Sequence, residues 1–191
     1  MNKIEETIRL MIADYDPNHV ATAYHEAGHT LIACVSGFRV RYATIDTDSM
    51  RDYENIPEDA GGYTCMEIPP RLSVQLRKQL IMVNQASRVA EEFVDAVANT
   101  INDYRFMVDV RQAREQAVRI ARQQRGSTAN EIIDTCDRRV RETLGYLDYQ
   151  EALTQIAARL LSYGRLMEMN IVNVVQNHVA CPLYYYRSQP F

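Results

Sequence analysis

Asp16-Pro17-Asn18-His19-Val20-Ala21-Thr22-Ala23-Tyr24-His25-Glu26-Ala27-Gly28-His29-Thr30-Leu31-Ile32-Ala33-Cys34-Val35-Ser36-Gly37 is the stretch on which the reading of this chain turns. Asp16 followed by Pro17 is a helix start, because the carboxylate can accept from orphan amides and proline is tolerated in the first turn. Gly37 is placed to stop the helix in a left-handed conformation. Between them Ala21, Ala23, Ala27, Leu31, Ile32, Cys34 and Val35 describe a broad apolar face, so the helix is expected to be largely buried.

Inside that buried helix stands His25-Glu26-Ala27-Gly28-His29, an HExxH pattern. Its histidines are four residues apart, hence one turn apart on one face, and both imidazoles can reach one ion. Zinc accepts two such nitrogens and acidifies a bound water when one position stays open. Glu26, next to His25, is placed to take a proton from that water and later return it to a leaving amine. Chance is the competing explanation, but the chain has only four histidines. Buried polar groups also need partners, which a metal would supply. His19 and His178 lack such spacing and are expected at the surface. A third ligand is required. Val35 occupies the position of the third histidine in the extended zinc-protease pattern, and Ile32 that of its glycine, so the ligand must come from a later helix.

Working outward, Ile4 to Ala13 has helical apolar spacing and predicts a short leading helix. Val40 to Ile45 and Gly62 to Ile68 read as strands, the second ending before Pro69-Pro70. Asp46 to Ala60 between them is polar and aperiodic, and reads as a long flexible connection. From Ser73 the pattern is helical: Ser73 to Val97, Val108 to Arg122, Asn130 to Leu144, Tyr149 to Leu161 and Ile171 to Asn177. Gly126, Gly145 and Gly164 fall at the joins. The expected class is mainly α (α+β), with a two- or three-stranded β element after the HExxH helix.

The 191 residues, 22.0 kDa, suit one domain. Within it, residues 1–97 would carry the motif helix, the β element and the next helix, and residues 98–191 a helical bundle that supplies the third ligand. A net charge of -4 from interspersed acidic and basic residues offers no basic field for nucleic acid. Cys34, Cys65, Cys136 and Cys181 form no CxxC pair, so reduced thiols are expected. No apolar run is long enough for a membrane helix and Met1 to Leu10 does not read as a signal peptide, so the expectation is a soluble, cytoplasmic protein.

The sequence resembles the peptidase domain of the FtsH-type ATP-dependent zinc metalloproteases. Beyond HEAGH, the likeness runs through Val40 to Ile45, Gly61-Gly62-Tyr63-Thr64, Pro69-Pro70 and the closing helices around Ile133-Asp134 and Val140-Arg141, and covers nearly the whole chain. Ala86-Ser87-Arg88-Val89-Ala90-Glu91-Glu92 matches a family segment but lacks both of its glycines.

The resemblance implies a helical zincin-like fold and zinc as cofactor, with His25 and His29 as ligands and Glu26 as catalytic base. It implies Glu91 as an outer partner of a ligand, and Gly62, Tyr63 and Thr64 beside the substrate. The third ligand it implies is an aspartate followed by alanines at the fourth and eighth positions. Asp109, with Ala113 and Ala117, fits that pattern, and Asp103 is the alternative. The family's nucleotide-binding loop and membrane helices are missing from these residues. The expected function is therefore ATP-independent zinc metalloendopeptidase activity on a peptide or unfolded protein, with no nucleotide, nucleic-acid or membrane partner. A homo-oligomer is left open. The alternative is a zinc-binding regulatory or interaction protein in which catalysis is minor. Hydrolysis of a non-peptide amide is a third reading.

Overall fold

The computed structural model describes residues 3–48, 61–98, 107–124 and 126–179. Asp103, Cys181 and positions 49–60 of the expected flexible connection lie outside the described residues. Among the described residues the chain is mainly helical. Its elements in order are α1 (Lys3–Asp14), α2 (Pro17–Val35), β1 (Arg39–Thr44), β2 (Tyr63–Glu67), α3 (Val74–Ala98), α4 (Met107–Gln123), α5 (Ala129–Leu144), α6 (Leu147–Tyr163), β3 (Arg165–Met167) and α7 (Glu168–His178). None of the described helices is long and apolar enough to cross a membrane.

The motif helix α2 begins as its sequence dictates: Asp16 caps it by accepting from the Asn18 amide, with Pro17 in the first turn. It ends with Gly37 at φ 86°. From Val20 to Cys34 nearly every residue is buried, because α3, α6 and the sheet pack around this one helix. Leu31 and Ile32 are fully enclosed, each contributing about 1.5–3 kcal/mol by leaving water.

Gly28 permits the closest of these approaches. A Cβ there would lie 2.5 Å from the Ala86 carbonyl oxygen and 2.8 Å from the Ala90 Cβ, so α2 and α3 can meet at this depth only over a glycine. α3 is itself a wall between two cores. Leu80, Val83, Ala86, Ala90 and Val94 join the α2 core, whereas Ile81 packs with Ala113, Ala117 and Ile120 of α4 and Ile132 and Cys136 of α5.

The sheet is antiparallel in the order β2-β1-β3. β1 pairs Ala43 with Thr64 and Tyr42 with Cys65, and a register shift between Val40 and Tyr42 marks a bulge at Arg41. Paired residues share a face. Ala43 belongs to the main core and Thr64 faces α2. Tyr42, Tyr63 and Cys65 cluster on the opposite face. The third strand, β3, within the expected two- or three-stranded element but at a position the sequence pattern does not mark, enters after Gly164, whose φ of 70° turns the chain out of α6.

Candidate metal centre

Three side chains from two helices converge on one point. His25 and His29 come from one face of α2, and Asp109 from the first turn of α4. Asp109 shares a stripe with Ala113 and Ala117, which are fully buried. Two small side chains at four-residue spacing let α4 lie close to α3 and turn the aspartate inward over the same face.

His25 Nε2 and His29 Nε2 lie 3.1 Å apart, and Asp109 Oδ2 is 3.3 Å from each. Ligand atoms about 2.0–2.1 Å from a tetrahedral zinc stand about 3.3–3.4 Å from one another. The three atoms thus form a triangle of the size that one such ion spans, and together they are a group able to hold a metal.

The outer faces of the rings decide which nitrogen is available. His29 Nδ1 lies 2.9 Å from the Val83 carbonyl oxygen, which can only accept, so Nδ1 carries the proton. His25 Nδ1 lies 2.7 Å from Glu91 Oε1 and donates to that buried carboxylate in the same way. With both rings neutral, the two Nε2 lone pairs and Asp109 Oδ2 would be three acceptors in mutual contact, an arrangement that a cation between them would satisfy.

The cluster also draws positive charge. Burial opposes a charge on His25, but the hydrogen bonds its ring donates to Asp109 and Glu91, with the nearby Glu26 charge, raise its pKa from 6.5 to about 10. Burial likewise opposes a charge on Asp109, yet the two imidazoles hold it well below the usual carboxylate range. A proton there does in part what a divalent ion would do in full.

Glu26 stands beside the triangle, its Oε1 4.0 Å from His25 Nε2. Its other oxygen, Oε2, accepts from the Thr64 hydroxyl at 2.7 Å. A Cβ on Gly62 would meet Glu26 Cγ at 2.6 Å and Oε1 at 2.7 Å, so the chain entering β2 closes over the carboxylate through a residue without a side chain. Of the three positions expected beside substrate, Gly62 and Thr64 are occupied with Glu26. Tyr63 points to the other face, its ring 6.2 Å from that of Tyr42. They do not make one side-chain surface; Tyr63 and Thr64 belong to the outer strand β2 and Gly62 directly precedes it.

Glu91 lies where it can orient His25, and its neighbour Glu92 turns away to a cluster with Arg88, Asp137 and Arg141 that joins α3 to α5. His19 is exposed, and His178 lies 3.6 Å from Glu151, far along the chain from the motif. Of the cysteines, Cys34 and Cys136 are buried and Cys65 is half-buried. The sequence reading did not single out the Val83 carbonyl or the Ser87 hydroxyl, which donates to Asp109 Oδ2 at 2.9 Å. A signal for them existed: Val83, Ser87 and Glu91 recur every fourth residue and so line one stripe of α3. No protein-family model matches the chain, and no curated protein matches it.

Proposed function

We propose that the chain is a zinc metallopeptidase with the architecture of an FtsH-type peptidase domain, hydrolysing peptide bonds of extended or unfolded polypeptides without nucleotide. The observation that carries this reading is the convergence of His25 Nε2, His29 Nε2 and Asp109 Oδ2 beside the Glu26 carboxylate. His25, His29 and Asp109 would hold the zinc. When bound, it supplies Lewis acidity, polarising the scissile carbonyl and making water acidic enough to lose a proton near neutral pH.

The chain's own groups do the rest. Glu26 accepts the proton of the attacking water and delivers it to the departing amine. Glu91 and the Val83 carbonyl keep both rings in the tautomer that presents Nε2. β2, an outer strand of the sheet, offers main-chain groups to an extended peptide, which supports a substrate that is already unfolded. Two histidines and a carboxylate also suit iron(II), as in oxygenases, and Glu26 is what favours hydrolysis.

The test is metal content and turnover together. Chain stripped with a chelator and reconstituted is expected to take up about one zinc and to cleave unstructured casein, with activity lost on chelation and restored by zinc. Preference for iron(II) over zinc would count against the proposal. Zinc uptake with no cleavage would favour the zinc-binding interaction protein instead.

A further inference from the structure

Each of the three ligands meets an outer partner on the same stripe of α3. His29 has the Val83 carbonyl, His25 has Glu91, and Asp109 has Ser87. The first two act on rings whose partners any metal-binding histidine needs. Ser87 differs because it stands where the resemblance to the FtsH-type peptidases breaks down, at a position where a glycine would carry no donor.

The Ser87 side chain is fully buried in the interior of α3. A buried hydroxyl is unfavourable unless paired, and serine is a weak helix former, so what its proton meets decides its role. Its single proton has two acceptors in reach: the Asn84 carbonyl at 3.1 Å and Asp109 Oδ2 at 2.9 Å. The bond to a carboxylate is charge-assisted and the stronger of the two. It also selects between the two carboxylate oxygens, because Oδ2 is the one 3.3 Å from both imidazoles.

Resting on the zinc reading above, we propose that Ser87 is a positioning residue for the metal centre, holding Asp109 in the rotamer that places Oδ2 against His25 and His29. It keeps the third ligand in place before the ion arrives and so raises affinity for zinc.

Zinc affinity of the full chain, measured by competition with a chromogenic chelator, tests this without any substrate. Ser87→Ala is expected to bind zinc about 10- to 100-fold more weakly, as removal of an outer partner does. Thermal unfolding of both metal-free proteins checks that the variant folds, and Ser87→Thr, which restores a hydroxyl, should recover part of the loss. In an Asp109→Ala background, the Ser87→Ala change should have no further effect, because the interaction it removes is already gone. Unchanged zinc affinity in Ser87→Ala, or an equal loss in both backgrounds, would overturn the role. A parent chain that binds no zinc would overturn the metal reading itself, and Ser87's role with it.

Discussion

The Thr64 hydroxyl donates to Glu26 Oε2 at 2.7 Å, tying the carboxylate beside the candidate metal site to the outer strand β2. Glu26 is buried, so an unpaired oxygen there would be unfavourable and free to rotate. Thr64→Val removes the donor while keeping the shape. It is expected to lower kcat on casein about tenfold, equivalent to about 1.4 kcal/mol, with zinc content unchanged. Thr64→Ser should restore most of the rate, and parental kinetics in Thr64→Val would show that the hydroxyl does not orient the base.

Replacing a helical glycine by alanine ordinarily stabilises by about 1 kcal/mol. At Gly28 the sign should reverse, because the new Cβ would stand 2.5 Å from the Ala86 carbonyl oxygen and the backbone of α3 would have to move. Gly28→Ala is expected to destabilise the chain by about 1–3 kcal/mol in denaturant unfolding. A stabilised variant would mean that the two helices are not in contact at this depth.

Asp109 and Asp103 can be separated directly. Asp109→Ala should weaken zinc binding sharply while leaving a measurable residual affinity, whereas Asp103→Ala should leave it unchanged. The reverse result would move the third ligand to Asp103.

The metal-free site has its own pH signature. His25 has its pKa raised from 6.5 to about 10, so the stability it lends the metal-free fold is fully present below about pH 6.5 and is lost as pH rises through about 10. Thermal unfolding in chelator should show the parent losing its advantage over His25→Gln across that window. Zinc replaces that proton, so uptake near pH 7.5 should release about one proton per ion, measurable from the dependence of binding heat on buffer. Binding heat independent of the buffer's ionisation enthalpy would contradict the charge state assigned to His25.

The parts of this molecule visible in its sequence are those with a local signature. Asp16-Pro17 and Gly37 bracket α2, and the four-residue spacing of His25 and His29 places both on one face, so the helix and its pair of ring nitrogens follow from local rules. β3 did not, because Arg165–Met167 is too short to display a period and exists only through pairing with β1. Thr64 was assigned to substrate on the strength of a resemblance; its contact with Glu26 depends on a strand crossing over α2, which no spacing within β2 reveals. Ser87 looked like a lost glycine, since the meaning of its hydroxyl comes only from α4 laid beside α3 by Ala113 and Ala117.

The central claim is that Glu26 acts as the base of a zinc-dependent hydrolysis. Zinc content and casein cleavage of the parent and of Glu26→Gln, both supplied with zinc, test it most directly. The expected result is about one zinc in each protein and a loss of cleavage in Glu26→Gln on the order of 10²- to 10⁴-fold. Equal cleavage by the two zinc-loaded proteins would contradict it.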